Sequence, residues 1–89
     1  MHSNTFDAAQ LSGKGMKFAL VVSRFNDKIT SKLHDGCLKA LAEHEVSTKD
    51  AAVFHVPGSF EIPLIAKLLA QSQRYEAIIA LGAVVKGET

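Results

Sequence analysis

Three nearly continuous apolar runs, MKFALVV at 16–22, AAVFHV at 51–56 and AIIALGAVV at 77–85, alternate with two stretches whose apolar residues recur every three or four positions. A short unbroken apolar run rich in β-prone residues is the pattern of a strand covered on both faces, because neither side of its pleat meets water. From 29 to about 46 the set Ile29, Leu33, Cys37, Leu38, Leu41, Ala42 and Val46 traces an amphipathic helix, with Asn26 or Asp27 as its N-cap. Gly36 falls inside that helix at a cost of roughly 1 kcal/mol relative to Ala, so another element is expected to approach closely there. A polar connection at 47–50 and a second helix at about 60–72 complete the order β-α-β-α-β, with no internal repeat.

Strands separated by helices of this length imply a parallel sheet with right-handed crossovers. With the first strand in the middle, order 2-1-3, the two crossovers run in opposite directions. A crevice then opens beyond the carboxyl ends of the strands, which is where ligands bind in open α/β sheets. The loops SRFN at 23–26, PGSFE at 57–61 and KGET at 86–89 would border it.

Composition narrows the partners. Ten Lys+Arg against nine Asp+Glu leave a net charge of +1, so no broad basic field points to nucleic acid or an anionic membrane. The single Cys37 has no internal disulfide partner, and His2, His34, His44 and His55 lack metal-ligand spacing, so a metal-free cytoplasmic protein is expected. The N-terminal MHSNTFDAAQLSGKG has no apolar signal-peptide centre, and the longest apolar run is too short to span a bilayer. With 89 residues the folded chain hides only about 60–65% of its unfolded surface, which makes stability marginal.

Each loop carries a chemical and a plain structural reading. Phe25 is either a plug against the helix or a platform for stacking a flat heterocycle. In PGSFEIP, Pro57-Gly58 makes a turn, Ser59 is a candidate N-cap, and Pro63 suits the first helical turn, where its missing N–H costs nothing. Glu61 would lie in that turn as a cap carboxylate or a ligand contact. The KGET segment is either a simple turn or a nest of amides for a phosphate, with Lys86 adding charge. His34 and His44 are expected to be solvated, His55 to be structural although it adjoins the turn, and Cys37 to be a small core residue and not a nucleophile.

Taken in order, RFN, VPGSFEIP and, about twenty residues later, LGAVVKGET resemble the lumazine synthase family, the 6,7-dimethyl-8-ribityllumazine synthases of riboflavin biosynthesis. The resemblance covers residues 11–89. It implies a flavodoxin-like three-layer α/β/α sandwich with strand order 2-1-3-4, of which only the β-α-β-α-β part lies in these residues. Residues 1–15 would be an N-terminal arm, and 16–89 the N-terminal part of a single domain. Phe25 matches the family's aromatic that stacks on the pyrimidinedione ring. Ser59, Phe60 and Glu61 match the segment that binds the ring and ribityl chain of 5-amino-6-(D-ribitylamino)uracil, and Ala83, Val84 and Val85 match the pocket wall. Glu88 and Thr89 match the pair that holds the phosphate of 3,4-dihydroxy-2-butanone 4-phosphate.

The implied enzyme needs no cofactor or metal and takes only small-molecule substrates. Its proton-shuttling histidine is expected two positions after Thr89, so no catalytic residue is expected among the 89, which look like the first half of the enzyme. The family assembles as pentamers, sometimes into larger shells, with each site completed by a neighbouring subunit and the arm around 3–10 pairing with a neighbour's sheet. Alone, the 89 residues are expected not to form a stable monomer. Two other classes compete with the enzyme: a non-catalytic flavodoxin-like module for a flavin or nucleotide, and a structural shell-forming relative.

Overall fold

The first apolar run becomes β1 (Phe18–Ser23), the middle strand of a parallel sheet of order β2-β1-β3, in the computed structural model, which describes residues 11–86. Strand β2 (Ala51–Val56) pairs with β1 from Phe18↔Ala51 to Ser23↔Val56, and β3 (Ala77–Leu81) pairs with it from Phe18↔Ala77 to Val22↔Leu81. Because alternate residues of a strand face opposite sides, a middle strand buries all of them only if both faces are covered. Ala19, Leu20 and Val21 are fully buried, and Val22 and Ser23 nearly so.

The cover comes from α1 (Asp27–Glu43), which follows β1, and α2 (Ile62–Ser72), which follows β2. Right-handed crossovers leading to opposite sides of β1 place these helices on opposite faces, giving the three-layer, flavodoxin-like α/β arrangement. At the amino ends of the strands the Lys17 N–H donates to Glu76 Oε1 at 2.6 Å, while the Glu76 N–H donates to the Lys17 carbonyl at 2.8 Å. That reciprocal pair fixes the starts of β1 and β3 relative to each other.

Several expectations shift. Helix α1 stops at Glu43, short of 46, because Glu45 turns left-handed with φ 69°. The Glu45 N–H then bonds Ala42 O at 3.1 Å and the Val46 N–H bonds Leu41 O at 2.9 Å, the Schellman closure that satisfies the last carbonyls and folds buried Val46 under the helix end. Strand β3 ends at Leu81, short of 85, and residues 82–86 are loop.

The inward stripe of α1 also differs from its apolar list. Thr30 is buried and His34, Cys37, Leu38 and Leu41 are half-buried, whereas Ile29 and Leu33 remain exposed. A Cβ placed on Gly36 would meet nothing within 4 Å, so no element approaches closely there among the described residues. His44 is not solvated but half-buried: its Nδ1–H donates to Leu11 O at 2.7 Å, and its carbonyl accepts from the Gly13 N–H at 2.7 Å. These bonds hold Gly13 so near Val46 that a Cβ there would lie 2.8 Å from Val46 Cγ2. The arm pairing expected around 3–10 lies outside the described residues. No described helix is long and apolar enough to cross a membrane.

Candidate functional site

The carboxyl ends of the strands carry three loops, the first bonded to the end of β2 and the other two to each other. In the first, the buried Ser23 hydroxyl accepts from the Phe25 N–H at 3.2 Å, and the Arg24 N–H donates to Val56 O at 2.7 Å, one bond beyond the end of the β1–β2 ladder. Asn26 then takes the left-handed conformation (φ 56°, ψ 56°), which asparagine tolerates better than most residues. Asn26 holds the N-cap position, but through its backbone: its carbonyl accepts from the Ile29 and Thr30 N–H groups at 2.9 and 3.1 Å, while its side chain makes no capping bond. The sharp reversal leaves Phe25 at the crest, 47% exposed.

In the second loop, Pro57-Gly58 leads into a 3₁₀ turn, Ser59–Glu61, that runs directly into α2. Pro63 sits in the first helical turn, as its missing donor requires. Ser59 does not cap the helix. Its hydroxyl instead donates to Ala83 O across the crevice at 3.5 Å. Glu61 stands at the N-cap without a side-chain capping bond, and its Oε1 lies 3.3 Å from where a Cβ on Gly58 would be. The carboxylate therefore folds back over the turn at a helix start, where the dipole favours its charge.

The third loop, beginning at Gly82, supplies the opposite wall. Phe25, Pro57, Gly58, Ser59, Phe60, Glu61, Ala83, Val84 and Val85 enclose a pocket of about 410 Å³, within the range of small-molecule sites. Phe60 and Val84 are 96% and 88% exposed and form its rim. All seven residues expected to contact the pyrimidine border this one cavity, joined by Pro57 and Gly58 from the same turn. Glu88 and Thr89, the expected phosphate pair, lie outside the described residues.

The profile of the 6,7-dimethyl-8-ribityllumazine synthase family matches residues 15–89. The chain belongs to the 6,7-dimethyl-8-ribityllumazine synthase family. A 6,7-dimethyl-8-ribityllumazine synthase from Syntrophus aciditrophicus (strain SB) is 55% identical over 85 residues, which cover 96% of this chain and 55% of that protein. The chain thus spans about half the length of the curated relative it matches.

Other polar features of this lumazine synthase-family chain fall outside the pocket. His55 faces α1, where its ring meets that of His34 edge-on, centroids 6.1 Å apart, beside a separate cavity of about 180 Å³ that Ser23, Arg24, Asp27 and Thr30 also line. His34 is half-buried with Nε2 shielded from solvent, contrary to the solvated position expected, because it lies one helical turn beyond buried Thr30. Burial pushes the Cys37 thiol above its ordinary value, which disfavours the nucleophilic thiolate. Among the described residues no group of three or more His, Cys, Asp or Glu could hold a metal ion. A larger depression of about 1040 Å³ at the amino ends of the strands is lined mainly by charged and polar groups, including Lys17, Lys49, Asp50, Arg74 and Glu76. It lacks the apolar slot and lies at the end of the sheet opposite to where α/β ligands bind.

Proposed function

We propose that the whole protein condenses 5-amino-6-(D-ribitylamino)uracil with 3,4-dihydroxy-2-butanone 4-phosphate to give 6,7-dimethyl-8-(D-ribityl)lumazine, phosphate and water, the penultimate step of riboflavin biosynthesis. The observation that carries this proposal is the single pocket in which Phe25, Glu61 and the 83–85 wall meet from three different loops. An aromatic ring beside an aliphatic wall accommodates a flat pyrimidinedione, and a carboxylate with the turn's amides offers partners for the hydroxyls of a ribityl chain.

In this assignment Phe25 stacks on the ring, Ser59, Phe60 and Glu61 bind ring and ribityl, and Ala83, Val84 and Val85 close the slot. Glu88 and Thr89 hold the phosphate of the second substrate. The amine attacks the ketone to form an imine, phosphate is eliminated, and ring closure yields the lumazine. Such a reaction needs alignment and proton transfer more than a strong nucleophile, and proton shuttling is assigned to the histidine expected two positions after Thr89.

We also propose that the protein works in the cytoplasm as a pentamer-based homo-oligomer. Support comes from α2, where Leu64 and Leu68 are both exposed. Residues four apart share one face of a helix, so this apolar pair is suited to a neighbouring subunit. Titration of the whole protein with 5-amino-6-(D-ribitylamino)uracil, riboflavin and FMN tests the substrate assignment. Binding of the pyrimidine supports it; tight FMN binding with no affinity for the pyrimidine would overturn it in favour of a flavin module.

A further inference from the structure

A Cβ placed on Gly82 would lie 2.7 Å from Ser59 Oγ, 3.2 Å from Ile62 Cδ1 and 3.6 Å from Ser59 Cβ. Ordinary contacts between such atoms begin at about 3.5 Å, so a methyl at 82 would displace the Ser59 hydroxyl from its bond to Ala83 O unless the end of β3 and the Ser59 turn move apart. The two segments are otherwise drawn together, because the Ser59 hydroxyl donates to the carbonyl of Ala83, the residue after Gly82. Ser59 lies in one wall of the pocket and Ala83 in the other. Gly82 does not itself line the pocket, and its lack of a side chain is what lets the walls approach.

We propose that Gly82 is a positioning residue that, through Ser59, sets the width of the slot between the 57–61 turn and the 83–85 wall, and thereby restricts the pocket to a flat heterocycle. The inference rests on the proposed substrate site for its functional consequence, whereas the packing contact stands independently. A missing side chain at 82 and a short one at 59 are matched: enlarging the first is tolerated only if the second is reduced. The displaced contact lies beside the ring-binding slot and involves none of the residues assigned to the phosphate.

The test is a cycle of Gly82→Ala, Ser59→Gly and the double variant in the whole protein, read by thermal midpoint, by pyrimidine dissociation constant and by KM for each substrate. Gly82→Ala is expected to weaken pyrimidine binding roughly tenfold, the order of overpacking by one methyl group, with a much smaller change in KM for the butanone phosphate. Ser59→Gly in the same molecule is expected to relieve the added methyl, so that the double variant binds and melts like Ser59→Gly alone. Wild-type-like pyrimidine affinity in Gly82→Ala, or a double variant whose losses simply add, would overturn the inference. If Gly82→Ala is too unstable to assay, recovery of the midpoint in the double variant supports the contact and failure to recover overturns it. Should the wild type not bind the pyrimidine, the substrate assignment and the width role fall together, while the midpoint cycle still decides the packing contact.

Discussion

The Ser23 hydroxyl accepts a hydrogen bond from the Phe25 N–H at 3.2 Å, linking the last buried residue of the central strand to the backbone that carries the Phe25 ring at the crest of its loop. The ring is thereby positioned by the core. Phe25→Ala is expected to weaken pyrimidine binding by about 1–3 kcal/mol, the order lost when an aromatic–base stack is removed. Ser23→Ala, which deletes the tether and keeps the ring, should cost less, about 0.5–1.5 kcal/mol. Isothermal titration of both variants checks this, and an unchanged constant for Phe25→Ala would remove the ring from the site.

Glu61 caps α2 by position but spends no side-chain hydrogen bond on it. Glu61→Gln should therefore leave the thermal midpoint nearly unchanged while weakening binding of the ribityl-bearing substrate by about 1.5–3 kcal/mol, the order of a hydrogen bond to a charged group. A variant that melts well below wild type but binds the pyrimidine normally would assign the carboxylate to the helix instead.

The strands and the first two loops were legible in the sequence because continuous apolar runs and Pro/Gly punctuation are local signals with direct physical causes, whereas the strand order leaned on the family resemblance and the third wall begins at Gly82, inside the run read as strand. What the sequence concealed was set by how helices dock. Ile29 and Leu33 belong to the apolar list of α1 yet face outward, while Thr30 and His34 face the sheet. A wheel with polar residues on its inner side does not reveal its own rotation. Ser59 reads as an N-cap until Ala83 O, distant in sequence, appears beside it. Gly82 did leave a trace: a glycine inside an apolar strand run marks a bulge or a close approach of another segment.

Glu45 holds a left-handed φ of 69° at the Schellman position after α1, where glycine carries no Cβ penalty. Glu45→Gly is expected to stabilise the protein by about 1 kcal/mol, the conformational cost of a side chain in that region. Chemical denaturation measures it, and a loss of stability would show that the Glu45 side chain contributes more than its backbone strain costs.

The pair Leu64 and Leu68 lies exposed on one side of α2. If subunits cover it, the wild-type protein sediments as a pentamer or a multiple of one, and Leu64→Asp with Leu68→Asp shifts it to smaller species. A wild type that sediments as a compact, cooperatively melting monomer would contradict this assembly.

The most direct test of the central claim is to incubate the whole protein with 5-amino-6-(D-ribitylamino)uracil and 3,4-dihydroxy-2-butanone 4-phosphate and follow the fluorescence of 6,7-dimethyl-8-ribityllumazine, in wild type and in a Phe25→Ala, Glu61→Gln double variant. Product from the wild type, with kcat/KM for the pyrimidine strongly reduced in the variant, is the predicted result. No product above the uncatalysed rate at any substrate concentration, or equal turnover by both proteins, would contradict it.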